Sequence, residues 1–205
     1  MSNKFNIEKD TWDIIKLYFQ DKKVLINHHI ESFDDFMDKK GVQRVIANTQ
    51  IKGRGRKGKD WISDPDGLAA TWCITGQNDF NSGMFQVVLG AMISRSLGFE
   101  LKWPNDIMVN QKKIAGILVE SESISRHMTR VFLSIGLNVN MNSDRGNQID
   151  QPWTSCFLQS KRRYSTTDVI NRLSTILFGD IKSCESMHNR QHMIDVYNAN
   201  VMYLN

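Results

Sequence analysis

Between Lys52 and Lys59 the chain holds only cations and glycines: Lys52, Arg54, Arg56, Lys57 and Lys59, separated by Gly53, Gly55 and Gly58. The cations repel one another, and glycine lets backbone approach a ligand closely, so such a loop should be ordered by an anion. Known phosphate-binding patterns overlap here and have to be separated. Gly53-x-Gly55-x-x-Gly58 spells the dinucleotide fingerprint, which requires a helix to open directly behind it. Asp60-Trp61-Ile62-Ser63-Asp64-Pro65-Asp66-Gly67 follows instead, and that is turn chemistry. Gly53-x4-Gly58-Lys59 approaches a Walker A loop, but Asp60 stands where the magnesium-binding Ser or Thr belongs, and again no helix follows. Both patterns fail on context.

Other stretches carry chemistry-bearing residues. Lys102-Trp103-Pro104-Asn105-Asp106 places a proline in a strand-like run, which forces an edge, a bulge or a bend that presents Lys102, Asn105 and Asp106 together. Lys112-Lys113-Ile114-Ala115-Gly116-Ile117-Leu118-Val119-Glu120 reads as an apolar strand opened by lysines just after an Asn110-Gln111 turn. Val131, Leu133, Ile135, Leu137, Val139 and Met141 are apolar at period 2, while Ser134, Gly136, Asn138, Asn140 and Asn142 between them are small or polar, apart from Phe132. A strand with one buried face explains this, and its small face leaves room for a ligand that Asn138 would meet.

These segments resemble biotin protein ligases. Gly-Arg-Gly-Arg-x-Gly-x-x-Trp ending at Trp61, with Gln50 three residues before its first glycine, is similar to that family's nucleotide-binding loop. Residues 102–106 match its Lys-Trp-Pro-Asn-Asp signature residue for residue. Lys113 to Leu118 resembles its Lys-x-Ala/Gly-Gly-Ile-Leu strand, Gly136-Leu137-Asn138 its Gly-Ile-Asn, and Thr154-Ser155-x-x-Leu158 its Thr-Ser-Leu turn. The resemblance implies an α+β fold like that of class II aminoacyl-tRNA synthetases, a mixed, mostly antiparallel sheet backed by helices. It also implies two half-reactions: biotin and Mg·ATP give biotinyl-5′-adenylate, which a lysine of a biotin carboxyl carrier protein, an acetyl-CoA carboxylase subunit or similar, then attacks. On this resemblance Lys113, Arg56 and Asp106 are catalytic. Biotin is held by Ser32, Gln50, Gly53, Arg54, Arg56, Lys113 and Gly116. ATP is held by Arg56, Lys59, Trp61, Lys102, Asn105, Lys113 and Asn138, with Trp61 covering the adenine. Asp106 either binds Mg²⁺ or helps deprotonate the acceptor lysine.

The chemistry suits these residues on their own terms. A carboxylate and a triphosphate must be brought within bonding distance, so cations must offset their repulsion. Arg54, Arg56 and Lys113 supply them. The resulting mixed anhydride needs shielding from water by a closing loop. The chain departs from the family where Ser-Thr-Asn usually follows the first strand: here it reads Ser32-Phe33-Asp34. It also ends at Asn205, about where many members begin a small C-terminal barrel, and it has no room before Val24 for a repressor module.

Three other readings compete. A lipoate or octanoyl ligase or transferase shares the fold but lacks the cationic loop joined to Lys-Trp-Pro-Asn-Asp. A non-catalytic biotin-binding protein would fit lost chemistry at Phe33. A nucleic-acid binder would use 52–59 as a phosphate patch. Without the five cations of that loop, however, 21 basic residues face 22 acidic ones, so the net charge of +4 is one local site and no specific DNA contact is expected.

The elements that must position these residues follow from the patterns. Val24–His29 and Val42–Gln50 read as strands, with a short helix Asp34–Lys40 between them. Leu68, Ala70, Trp72 and Ile74 alternate with Ala69, Thr71, Cys73 and Thr75 in a third strand. A helix capped by Asn81 or Ser82 carries the stripe Met84, Val87, Val88, Ala91 and Met92 and stops at Gly98. Residues 101–142 read as consecutive strands. Thr167-Asp168 caps a helix with Ile170, Leu173, Leu177 and Ile181 on one face, and a last helix covers Gln191–Val201. A short helix at 11–20 makes residues 1–23 a helical extension of one catalytic domain spanning 1–205. Cys73, Cys156 and Cys184 are odd in number and scattered, which argues against a disulfide framework. No apolar run suits a signal peptide or a membrane span, so a cytoplasmic location is expected. A monomer or homodimer is expected, and the sequence does not decide between them. Cys184, His188 and His192 fall at metal-like spacing, but the polar run around them breaks the helix that would align them.

Overall fold

The computed structural model describes residues 23–30, 42–50, 52–77 and 82–179. Seven strands form one sheet around the antiparallel pair β5 (Leu68–Gln77) and β9 (Met128–Leu137), paired from Leu68↔Leu137 to Gln77↔Met128. On one side of this pair lie β2 (Val42–Gln50) and then β1 (Lys23–Ile30), which runs parallel to β2. On the other side follow β8 (Lys112–Ser123), β7 (Asp106–Val109) and the edge strand β6 (Glu100–Lys102), all antiparallel. A separate two-residue ladder, β3 (Gly53–Arg54) with β4 (Asp60–Trp61), carries the cationic loop. This is the α+β, mostly antiparallel architecture expected from the sequence.

One face of the sheet is covered by α1 (Ser82–Leu97) and α3 (Thr166–Gly179). Leu68, Ala70, Trp72, Val131, Leu133, Ile135 and Leu137 pack there with Phe85, Val88, Leu89, Ile170 and Leu173, all at most 3% exposed. Each large apolar side chain so buried contributes about 1.5–3 kcal/mol. The stripe read for α1 is too narrow: every residue from Phe85 to Ser94 is buried, because β6 and α3 cover the sides that a lone sheet-facing helix would leave wet. Gly98, at φ 71°, ends this helix as expected, with Phe99 N donating to Ser94 O at 2.7 Å.

Two further expectations are corrected. Strand β9 stops at Leu137, not at 142. The alternation runs on because Asn138 and Asn140 are buried and tie down neighbouring loops, Asn140 Nδ2 donating to Tyr164 O at 2.9 Å. The cap of α3 is Ser165, whose Oγ accepts from Asp168 N at 3.3 Å, rather than Thr167-Asp168. The expected helices at 11–20, Asp34–Lys40 and Gln191–Val201 lie outside the described residues, as do Ser32, Phe33, Cys184, His188 and His192.

Candidate active site

The face of the sheet away from the helices carries small side chains in rows across three strands. Ala69, Gly136 and Gly116 stand opposite one another on β5, β9 and β8, and Thr71, Ser134 and Leu118 form the next row. The β3–β4 ladder folds over this face and closes a recess of about 470 Å³. Arg54, Arg56, Lys57, Lys59 and Trp61 line it from the loop, and Gln50, Asn105, Asp106, Lys113, Gly116, Ile117 and Gly136 from the sheet and its edges.

The loop is short and self-bonded. Gly55 N donates to Lys59 O at 2.6 Å and Lys59 N to Arg56 O at 3.2 Å, around a 3₁₀ turn at Arg56–Gly58. Gly58 takes φ 72°, which glycine adopts without strain. Strand β4 follows directly, so neither the dinucleotide nor the Walker A reading has the helix it needs. Arg54 Nη2 reaches Glu120 Oε2 on β8 at 3.3 Å and so ties the loop to the sheet.

At the edge of the recess, Lys113 Nζ bonds Asp106 Oδ1 at 2.7 Å, both side chains being about four-fifths buried. That pairing depends on a bulge. Asp106 stands opposite Gly116 and Ile107 opposite Ala115, but Met108 stands opposite Lys113, so β8 carries one extra residue. Period 2 alone would send Lys113 to the opposite face from Gly116; the bulge returns it to the recess. Its backbone is held as well, Lys113 N donating to Pro152 O at 2.9 Å and Thr154 N to Lys113 O at 2.8 Å. Ser155 then caps α2 (Cys156–Ser160), its Oγ accepting from Leu158 N at 3.0 Å. The Thr-Ser turn noticed in the sequence therefore buttresses Lys113.

The Lys102–Asp106 segment is the β6–β7 hairpin, bent at the cis Trp103-Pro104 bond. Asn105 Nδ2 donates to Ile117 O at 3.2 Å and Ile117 N to Asn105 O at 3.0 Å, which clamps the hairpin to β8. Lys102 lies directly opposite Asp106 but is exposed on the edge strand and outside the recess lining.

Other expected contacts sit differently. Gly53 is buried and absent from the lining; a Cβ there would collide with the backbone oxygen of Trp61, so this glycine permits the β3–β4 approach. The Trp61 ring lies on the glycine shelf, where a Cβ on Gly136 would collide with its indole and one on Gly116 would come within 3.4 Å. Lys113 Nζ stands 5.6 Å from the centre of the same ring. Asn138 spends its Nδ2 on Thr154 O at 3.0 Å and borders a smaller recess of about 60 Å³ beside Trp61, Asp60 and Trp153. The sequence reading did not assign Thr71, Ser134, Glu120 or Glu122 to the site, although all line the larger recess. The period-2 pattern from Gly116 to Glu122 was the signal available for the last two.

Among the described residues no group of three or more His, Cys, Asp or Glu is placed to hold a metal ion. No described helix is long and apolar enough to cross a membrane.

A mixed, mostly antiparallel sheet backed by helices, with a recess on its open face, is the architecture of the class II aminoacyl-tRNA-synthetase-like domains. The chain belongs to the biotin/lipoate A/B protein ligase family, whose model matches residues 18–140. It is 31% identical over 111 residues to a biotin–[acetyl-CoA-carboxylase] ligase of Paracoccus denitrificans, covering 50% of this chain and 46% of the relative. It is 32% identical over 117 residues to the bifunctional ligase/repressor BirA of Escherichia coli, covering 53% of this chain and 36% of the relative. The chain thus spans less than half the length of these curated relatives. A biotin protein ligase from Aquifex aeolicus, solved in complex with biotin and ATP, superposes with a TM-score of 0.65 at 26% identity, covering 79% of this chain and 72% of that one.

Proposed function

We propose that this chain is an ATP-dependent biotin–protein ligase. The observation that carries the reading is the buried Lys113–Asp106 pair at the edge of a recess roofed by Arg54, Arg56, Lys57 and Lys59. One ammonium and several guanidinium or ammonium groups converge where a carboxylate and an α-phosphate must meet, and offsetting their repulsion is the main demand of the first step. A biotin carboxylate oxygen attacks the α-phosphorus, the bond to the β-phosphate oxygen breaks, and pyrophosphate leaves. The amine of a carrier-protein lysine then attacks the acyl carbon, AMP departs, and the amine proton passes to a base.

Asp106 suits that base. Its carboxylate is the counter-ion of Lys113 until the ligand's own carboxylate arrives, and it faces the recess. Trp61 covers the shelf and bridges to the small recess beside Asn138, so an adenine stacked there would stay close to Lys113. Mg²⁺ is commonly held by one or two carboxylates together with substrate phosphates, and it would supply charge neutralisation at the triphosphate; if Asp106 held it, that role would be the alternative to serving as the base.

Calorimetry with biotin, octanoate and lipoate, each with and without Mg·ATP, tests the reading. Expected are tight binding of biotin and pyrophosphate release that depends on biotin. Preference for lipoate or octanoate would replace biotin as the substrate, and biotin binding without pyrophosphate release would replace catalysis by simple binding.

A further inference from the structure

We infer that Asp64 and Arg145 are a positioning pair that seats the arch 142–153 beside Trp61 and so sets the affinity for nucleotide rather than for biotin; this rests on the ligase reading given above. Arg145 Nη1 lies 3.6 Å from Asp64 Oδ2. Asp64 stands three residues beyond Trp61, in the turn that follows β4, and Arg145 in a 3₁₀ turn at Ser143–Gly146. Exposed ion pairs are common and contribute little. This one differs because the Asp64 side chain is only 7% exposed, and a buried carboxylate left short of a partner is costly. Its other oxygen accepts from Asp66 N at 2.8 Å, which closes the turn.

The arch is a wall of the small recess. Ile149, Asp150, Gln151 and Trp153 line one side of that recess, and Trp61 and Asn138 the other. Its ends are fixed, by the buried Met141 in front and by the bridge from Trp153 to Lys113 of β8 behind. Between them Ser143, Asp144, Asn147, Gln148 and Asp150 are exposed, so little burial holds the middle in place. Arg145 ties that middle to the turn behind Trp61. The adjoining Gly146 is buried under Trp153, where a Cβ would collide with the indole. One tether therefore fixes the seat of Trp153 and, through it, the width of the recess.

The consequence is selective. On the ligase reading the nucleotide base sits beside the small recess, whereas the floor of the larger one is built by β5, β8 and β9, and the pair belongs to none of these strands. The same turn offers an internal comparison. Asp66 Oδ1 stands 3.7 Å from Arg163 Nη1, and the Arg163 guanidinium carbon lies 5.7 Å from the centre of the Phe157 ring. Arg163 follows α2 and lines neither recess. Removing it disturbs the turn without releasing the arch.

The test measures biotin-dependent pyrophosphate release by the full chain and by Asp64→Asn, Arg145→Met, Arg145→Lys and Arg163→Met, with KM taken separately for ATP and for biotin. Asp64→Asn keeps an oxygen for Asp66 N and removes only the charge. Arg145 is 56% exposed, and solvent screens the pair, so KM for ATP should rise about fivefold in Asp64→Asn and in Arg145→Met. KM for biotin should stay within about twofold of the parent, and the double variant Asp64→Asn/Arg145→Met should be no worse than either single. Arg145→Lys should retain most of the ATP affinity. The exposure of Arg145 keeps the test open through Arg145→Met if Asp64→Asn folds poorly. An unchanged KM for ATP, an equal rise for biotin, or the same rise in Arg163→Met overturns the positioning role and leaves the ligase reading standing. No biotin-dependent pyrophosphate release from the unsubstituted chain overturns both.

Discussion

Lys113 combines a fixed backbone with a side chain aimed into the recess, so its removal should be felt in chemistry and not in folding. In Lys113→Ala the Asp106 carboxylate loses its partner at 2.7 Å, and the loop cations alone remain to offset the repulsion between the reacting carboxylate and phosphate. Biotin-dependent pyrophosphate release should be abolished while the melting temperature stays within a few degrees of the parent. A rate within a few-fold of the parent would place the reaction elsewhere. Arg56 sits on the roof, in the 3₁₀ turn, where it can hold the product of the first step. Losing one charge-assisted bond costs about 1.5–3 kcal/mol, so Arg56→Gly should release biotinyl-adenylate roughly ten to a hundred times faster. The leaked intermediate would label lysines of an unrelated protein, read by streptavidin blot after incubation with biotin and ATP. Labelling confined to the carrier, with unchanged retention of adenylate, would count against this role.

At the scale of elements, the site is a contact between a two-residue ladder and a shelf. The β3–β4 hairpin buries little of its own and is tied to the sheet through Arg54–Glu120 and through Trp61 lying on Gly136. Gly136→Val should displace the indole without opening the core, because position 136 faces the recess and Ile135 and Leu137 still face the helices. Overpacking of this kind costs about 1–3 kcal/mol, here charged to loop closure rather than to global folding. Trypsin should then cut faster after Arg54, Arg56, Lys57 and Lys59, and biotin affinity should fall at least about fivefold. A cleavage pattern and affinity like those of the parent would show that Trp61 does not hold the loop.

At the scale of the whole molecule, the two described thiols, Cys73 on β5 and Cys156 on α2, report burial. Burial pushes the Cys156 thiol up to about 11, its own backbone hydrogen bond opposing, from an ordinary value of 9.0. Cys73 is raised as well, by burial first, with Arg130 opposing and Glu122 adding. Neither should react with iodoacetamide at pH 8 in the folded chain, and both should react on unfolding, read by peptide mass. In the unfolded chain these thiols ionise near 9, while the folded Cys156 holds its proton to about 11. The unfolded state then binds fewer protons across that interval, so stability falls as pH rises through it. Cys156→Ser should flatten the alkaline decline of the urea midpoint; an equal decline in the variant would assign it to other groups.

The cationic loop, the bend at Trp103-Pro104, the lysine-led strand and the small face of β9 were all legible from residue type and local period. Each is a short-range property, written within about ten residues of chain. The element order pointed to an α+β fold, while the mostly antiparallel sheet backed by helices was what the family resemblance implied. What period could not supply was decided by pairing between distant strands. Gly116 and Lys113 are three apart and belong on opposite faces of a regular strand; the extra residue that β8 accommodates against β7 puts both in the recess. Glu120 and Glu122 became site residues only because β8 lies beside β9 under the folded loop. Gly53 permits the close approach of β3 to β4, and Asn138 spends its amide donor on Thr154 O, contacts that exist only once these segments have folded against one another. Composition and period determined which chemistry the chain carries; register, bulge and loop closure decided which of those groups meet.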